Sequence, residues 1–321
     1  MPKTIVITGA SSGIGAITAE TLAGPETNLV LAARDNDALQ SVAGLCTSRG
    51  ANVLIVPTDV SRGAEVQALR EQALEAFGAI DVWINNAGVA QLGSFLEISP
   101  EEFERVIDIN LMGVVRGSRA ALEVFMKQKH GTLINVSSIL GAVPDPYESA
   151  YVTSKYAIRG FTASIRQEVR LAGLPDVHVC TVLPSTMDTP IYHSGANRSG
   201  KQPRAIPPIY PAEMVAEAIV RLIERPQPET VVGGVGKVLV TMHRLLPNFT
   251  ERLLAKYINL FHFKNKQASE TSGSLFHPSS NHNVSGDWPT LPKSTDRIVA
   301  LTSLALLVFA VRSLLRKGGK S

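Results

Sequence analysis

Cysteine is nearly missing from this chain. Cys46 and Cys180 are the two present in 321 residues, too few for a disulfide framework or a zinc site. Both sit in apolar or ordinary contexts that predict buried thiols in a reducing compartment. A strong charge imbalance is missing as well. The formal net charge is +3, and from Lys293 onward Lys293, Arg297, Arg312, Arg316, Lys317 and Lys320 face the single acid Asp296. The chain end is therefore basic and everything before it close to neutral. A near-neutral body excludes the broad basic surface that nucleic acid binding needs, so no nucleic acid partner is expected. No signal peptide is visible, because Met1 to Lys3 lead straight into an apolar strand pattern, and the body of the protein is expected to stay where it is made. What the chain does have is a hydrophobic content of 45%, enough to bury a sizeable core in one large or two modest domains.

The apolar β-branched run 4–8 reads as a buried strand, and Gly9-Ala10-Ser11-Ser12-Gly13-Ile14-Gly15 follows at once, ahead of a helical pattern from Ile14 to Ala23. Strand, glycine turn and helix make a phosphate site: glycines let the backbone approach a pyrophosphate, and the helix start offers unpaired N–H groups and a positive dipole end. The plain alternative is a tight strand-to-helix turn without a ligand. A second strand, 28–33, ends in Ala33-Arg34-Asp35 about twenty residues on, where a dinucleotide fold reads the adenosine ribose. A small residue followed by arginine leaves room and charge for a 2′-phosphate, which favours NADP(H); Asp35 could instead serve NAD(H). Asp59, after a third strand at 53–57, is placed to accept from an adenine amino group or to cap the next helix.

A fourth strand, 81–85, reaches Asn85-Asn86-Ala87-Gly88. These amides lie where an open parallel sheet binds ligands, though amides also stabilise tight turns. Ser99 and Pro100 open a long helix expected to run to about Val124, with Asn110 in its middle, a place where asparagine commonly faces solvent. Further strands are expected at 132–137, 177–183 and 231–234, and a helix from near Glu148 to Leu171. Alternating strands and helices with short connections specify an α/β, doubly wound parallel sheet of Rossmann-like type, with about seven strands and helices on both faces. Its ligand side is the carboxyl edge of the strands. Residues 190–211 form a loop long enough to act as a lid.

Tyr151 and Lys155 stand four apart in that last helix, so they share a face and the ammonium can reach toward the phenol. A tyrosine beside a cation has its phenolate stabilised and becomes a usable acid and base near neutral pH. Ser138, at the end of the fifth strand, could hold a carbonyl oxygen. A solvated polar helix face is the bland reading of the same spacing.

Taken together, Thr8-Gly-Ala-Ser-Ser-Gly-Ile-Gly15, Asn85-Asn-Ala-Gly88, Ser138 and Tyr151-x-x-x-Lys155 resemble the short-chain dehydrogenase/reductase family over residues 1 to about 240. The resemblance implies hydride transfer in which Tyr151 gives or takes the proton, Lys155 lowers its pKa and holds the nicotinamide ribose, and Ser138 orients the carbonyl. It further implies that Asn110 holds a water behind Lys155, and that Gly9, Ser11, Ser12, Gly13, Ile14 and Gly15 face the cofactor phosphates. Asp59 and Val60 would meet the adenine, Asn86, Ala87 and Gly88 the adenosine side, and Pro184, Thr186 and Thr189 the nicotinamide end. Two departures stand out. Ser185 follows Pro184 where the family commonly has glycine, and no basic residue interrupts Ala10-Ser11-Ser12, so Arg34 alone supports NADP(H).

After the catalytic region at 1–240, residues 241–263 form an amphipathic helical extension with Leu253, Leu254, Tyr257, Ile258 and Phe261 on one face. That face is expected to cover the domain's own core or a partner subunit, so a homo-oligomer is possible; binding a membrane surface and roofing an apolar substrate cleft are the alternatives. Residues 264–297 are polar and rich in Ser and Asn, which predicts a flexible linker. Residues 298–315 are apolar and span roughly 27 Å as a helix, barely a bilayer core. Followed by the basic tail 316–321, they predict membrane association through the chain end, with the catalytic domain on the cytoplasmic side. The expected substrate is a hydrophobic ketone, aldehyde or secondary alcohol of steroid, retinoid, lipid or aromatic type. A soluble 3-oxoacyl-type reductase of lipid synthesis and a non-catalytic membrane-bound dinucleotide sensor are the competing readings.

Overall fold

The structure is a computed structural model that describes residues 2–279 and 283–296. β1 (Lys3–Thr8) runs into α1 (Gly13–Leu22), and the alternation continues through β2 (Thr27–Ala33), α2 (Asn36–Ser48), β3 (Asn52–Pro57), α3 (Gly63–Phe77) and β4 (Val82–Asn85). After α4 (Pro100–Ile107) and α5 (Gly113–Gln128) come β5 (Gly131–Val136), α6 (Ser149–Leu171), β6 (Val177–Pro184), α7 (Glu213–Glu224) and β7 (Glu229–Val232). Two further helices, α8 (Gly234–Leu245) and α9 (Pro247–Phe261), follow. The seven strands form one sheet in the order β7-β6-β5-β4-β1-β2-β3, and every pairing is parallel.

Both faces of that sheet are covered, which is why the strands read as apolar runs rather than alternating ones. Ile5, Ile7, Leu29, Leu31, Ile84 and Ile134 belong to one core cluster, while Val6, Val30, Trp83 and Leu133 belong to another. Register brings the strand ends to a common edge: Thr8 pairs with Ala32 and Asn85, Asn85 with Asn135, Val136 with Val182, and Pro184 with Val232. Strand order reverses between β1 and β4, so the two connections leaving that edge part and open a crevice there.

The helix expected to run unbroken from Pro100 is interrupted. Asp108–Met112 is a π turn between α4 and α5, a local widening that turns Asn110 inward, and Asn110 is fully buried rather than solvent-facing. The loop after β6 is fastened as well. Ala196–Asn197 pairs in parallel with Gln91–Leu92, and Lys201–Pro203 pairs antiparallel with Phe263–Gln267.

The largest difference from the sequence expectation lies in the polar segment beyond Phe263. Its described parts, 264–279 and 283–296, lie along the carboxyl edge of the sheet as a strap, and several of their polar groups bond to the body. Asp188 accepts from Ser285 Oγ at 2.6 Å and from the main-chain N–H of Gly286 and Trp288 at 3.0 Å. Trp288 stacks on His193 with centroids 4.6 Å apart, and Leu275 is completely buried. The stretch 298–315 and the tail 316–321 lie outside the described residues. Among the described residues no helix is long and apolar enough to cross a membrane.

Candidate active site

The glycine turn after β1 is built for close approach. Gly9 and Gly13 have φ of +67° and +50°, and a Cβ on Gly15 would lie 2.1 Å from the Gly9 carbonyl oxygen, so the start of α1 presses on the turn. Ser12 caps that helix without a side-chain hydrogen bond; the Gly13 N–H donates to the Val284 carbonyl at 3.1 Å, and the N–H groups after it are left for an anion. The Asn86 amide staples the turn to β4 by donating to the Thr8 and Gly9 carbonyls at 3.1 Å. Neighbouring Asn85 is fully structural: its Oδ1 accepts from Trp83 Nε1 at 2.8 Å and its Nδ2 donates to Asn135 Oδ1 at 2.9 Å.

A cavity of about 540 Å³ runs from this turn along the sheet edge. Gly9, Ser11, Ser12, Gly13, Ile14, Arg34, Asp59, Val60, Asn86, Ala87, Gly88, Ser138, Tyr151, Lys155, Pro184, Thr186 and Thr189 all line it, whereas Gly15 stands behind the turn and Asn110 behind Gly88. Its continuity, the glycine approach and the uncapped helix start fit an extended dinucleotide.

At one end, Arg34 donates from Nη2 to the Ser274 carbonyl at 2.6 Å and from Nη1 to that of Leu275 at 3.3 Å. Burial lowers its pKa, and a guanidinium remains charged at neutral pH regardless. Asp35 caps α2 by accepting from Ala38 N at 3.0 Å. Asp59 accepts from Ser61 N and Oγ at 2.9 and 2.7 Å and from Arg105 Nη2 at 3.1 Å. Burial works to raise its pKa, but these hydrogen bonds and the Arg105 charge bring it below the usual carboxylate value.

At the other end, Ser138, Tyr151 and Lys155 meet. Lys155 is 4% exposed; its Nζ donates to the Val136 carbonyl at 3.2 Å and lies 5.3 Å from the Tyr151 ring centroid. Burial lowers its pKa to about 8. The sequence expectation that Lys155 pulls Tyr151 down is not met in the protein alone. Burial pushes the phenol well up, the Glu148 and Asp145 charges push it further, and only the Ser138 hydroxyl pulls it back. Asn110 accepts from Val89 N at 2.8 Å and donates to Val89 O and Ser154 Oγ at 3.0 and 3.1 Å. A Cβ on Gly88 would sit 3.4 Å from Asn110 Oδ1 and 3.7 Å from Lys155 Nζ, so Asn110 and Lys155 flank the same bare piece of backbone.

The Ser185 departure is accommodated by two glycines. Cβ atoms on Gly233 and Gly236 would fall 2.5 and 2.2 Å from Ser185 Oγ, and that hydroxyl is shielded and unpaired among the described residues. The amphipathic face of α9 roofs the cavity, with Leu253, Leu254, Tyr257 and Ile258 in its lining. Sequence reasoning missed Asp145, Glu148, Tyr192 and His262. Asp145 and Glu148 precede Tyr151 closely enough to have been flagged, but the loop between two prolines gave no period, and His262 and Tyr192 arrive from distant segments.

Residues 3–199 match the short chain dehydrogenase family. The chain belongs to the short-chain dehydrogenase/reductase family. This dehydrogenase/reductase is 36% identical over 258 residues to the uncharacterized oxidoreductase YxnA of Bacillus subtilis, covering 79% of this chain and 72% of that one. It superposes on a short-chain dehydrogenase/reductase from Burkholderia phymatum solved in complex with NAD, with TM-score 0.70 and 29% identity, over 78% of this chain and 95% of that one. An alcohol dehydrogenase from Thermococcus sibiricus complexed with 5-hydroxy-NADP gives TM-score 0.63 and 30% identity, over 72% and 96% of the two chains. The chain is thus an oxidoreductase of a fold that binds a nicotinamide dinucleotide.

Proposed function

We propose that this dehydrogenase/reductase transfers a hydride between NADP(H) and a hydrophobic ketone or aldehyde, or the corresponding secondary alcohol. The observation that carries the reading is the continuous cavity that joins the Arg34 end to Ser138, Tyr151 and Lys155 and then to an apolar roof of Leu239, Leu253, Leu254 and Ile258. When bound, the dinucleotide supplies or accepts the hydride. Tyr151 holds the proton that the carbonyl oxygen takes up. Its raised pKa keeps that proton in place at neutral pH, the state an acid in carbonyl reduction needs. Ser138 offers a hydroxyl to the same oxygen, and the Lys155 ammonium stabilises the phenolate left after proton transfer. Asn110, bonded to Val89 and Ser154, fixes the backbone beside Lys155. At the far end Arg34 supports NADP(H) over NAD(H), since a guanidinium pairs with a 2′-phosphate.

The substrate class follows from the roof: carbon-rich walls favour an apolar skeleton through burial worth roughly 25 cal/mol per Å². Sequence alone supports the membrane part of the proposal, in which the apolar run 298–315 holds the enzyme at a membrane surface on the cytoplasmic side. A carbonyl panel with NADPH and with NADH tests the chemistry, and Tyr151→Phe retaining turnover would overturn the assignment. Fractionation in low salt and then detergent tests the membrane part, which full recovery in the soluble fraction at low salt would sink.

A further inference from the structure

Beyond Tyr151 the cavity is not uniformly apolar. Asp145, Glu148 and Tyr192 line it too, and their hydrogen-bonding capacity is unspent. Asp145 Oδ1 is shielded and has no partner among the described residues. Glu148 is 1% exposed, and its Oε1, without a hydrogen bond of acceptable geometry, faces His262 Nε2 at 3.2 Å. The Tyr192 ring packs edge-on against His262 at 5.4 Å, and no hydrogen bond to its hydroxyl is found among the described residues. Leaving a buried polar group unpaired is costly. Two such groups, Asp145 and Glu148, beside the Tyr192 hydroxyl in one cavity wall therefore point to a ligand that pairs with them.

Resting on the reductase reading above, we propose that Asp145, Glu148 and Tyr192 form a hydroxyl-recognition subsite, selecting ketones whose apolar skeleton carries a hydroxyl group away from the reacting carbonyl.

The proton arrangement says why a hydroxyl and not an ion. His262 Nδ1 lies 3.1 Å from the Arg204 carbonyl oxygen; a carbonyl only accepts, so Nδ1 carries a hydrogen. Nε2 faces Glu148 Oε1 at 3.2 Å, and the second carboxyl oxygen is left as an acceptor. Burial, and after it the Glu148 charge, raises the pKa of Asp145 well above its ordinary value, which favours the acid form that can donate. The group therefore brings a donor and an acceptor to one stretch of the cavity wall. A hydroxyl matches it by donating and accepting at once. A substrate carboxylate gives up its hydration in a largely apolar cleft and is disfavoured, and an ether offers no donor. The surrounding Val143, Leu140 and Ile191 hold the skeleton and exclude water.

Aryl methyl ketones of graded chain length, each with a para-hydroxyl, para-methoxy or para-carboxylate group, are the probes. Isothermal titration of the full chain with saturating oxidised NADP measures binding without turnover. The hydroxyl compound of the best-fitting length is expected to bind about ten-fold or more tightly than its methyl ether, a ten-fold ratio being roughly 1.4 kcal/mol, and the carboxylate more weakly than either. Asp145→Ala and Glu148→Gln are expected to pull the hydroxyl-to-ether ratio toward one. Equal affinity for hydroxyl and ether at every length, or a ratio unchanged in both variants, overturns the subsite. Reduction of the same ketones is followed separately. If none is turned over the reductase reading falls, while the affinity ratio still judges the subsite.

Discussion

Arg34 and Ser274, far apart in the chain, are joined by a 2.6 Å hydrogen bond from the guanidinium to the main-chain carbonyl. Arg105 Nε reaches the next carbonyl, that of Leu275, at 3.0 Å. The side chain placed to read the cofactor's ribose end is thus also a fastening for the strap that crosses it.

Arg34→Ala is expected to lower kcat/KM for NADPH relative to NADH by about ten-fold or more, since a hydrogen bond to a charged group contributes roughly 1.5–3 kcal/mol. Arg34→Lys should recover only part of the loss, because a lysine cannot make the forked contact. Steady-state kinetics with both cofactors reads the ratio, and a ratio unmoved by Arg34→Ala contradicts the cofactor assignment.

Removal of the phenol tests the proton path. Tyr151→Phe is expected to reduce kcat by about 10²-fold or more, within the range of general acid catalysis, while dinucleotide binding stays close to that of the parent. A loss confined to KM would instead assign Tyr151 to substrate binding.

Stability should follow pH in a way that can be signed. Lys155 falls from 10.5 to about 8 in the fold, so between those values the unfolded chain binds a proton that the native protein does not. Stability of the cofactor-free protein then rises with pH through that window, by at most about 1.4 kcal/mol per pH unit for one proton. Cys46 and Cys180 move the other way, each raised by burial from 9.0 to about 11; the native thiols keep protons that the unfolded chain releases, and stability falls across that range. Denaturant unfolding of the wild type and Lys155→Met as a function of pH separates the two effects. The difference between the curves should widen in favour of the wild type from about pH 8 upward, and a flat difference refutes the buried-ammonium assignment.

The space around Ser185 predicts coupling. A Cβ at Gly236 would sit 2.2 Å from Ser185 Oγ, so Gly236→Ala is expected to destabilise by about 1–3 kcal/mol. Ser185→Gly should relieve much of that cost in the double variant, giving a favourable interaction energy in a thermal or denaturant cycle. Strict additivity would show that the two positions do not touch.

Asp188 supplies the last test. Asp188→Ala removes the acceptor of three strap donors and is expected to speed proteolysis within 268–292. Two tryptophans are present, and Trp83 is fully buried, so the emission of Trp288, assigned with Trp288→Phe, reports the strap directly. Unchanged cleavage in Asp188→Ala would show that the strap is held elsewhere.

Strand positions and the motif residues were legible in the sequence because they depend on local pattern: β-branched runs, a glycine turn and a four-residue helical spacing. The π turn at Asp108–Met112 was not, since widening a helix by one residue leaves no compositional trace and depends on Asn110 finding Val89 and Ser154. The strap was misread as a linker because its Ser, Asn and Gly content resembles that of unfolded chain, while its stability comes from long-range bonds to Arg34, Asp188 and Gly13. The direction of the Tyr151 shift also depends on tertiary burial and on Glu148, which a spacing argument about Lys155 cannot weigh.

Gly13 N–H donates to the Val284 carbonyl at 3.1 Å, so the strap is tied to the phosphate turn itself, whereas the substrate end is roofed by α9. The two ends of the cavity are therefore covered by different segments. Variants that loosen the strap are expected to alter the residence time of the dinucleotide, and variants in α9 that of the substrate, each leaving the other ligand nearly untouched.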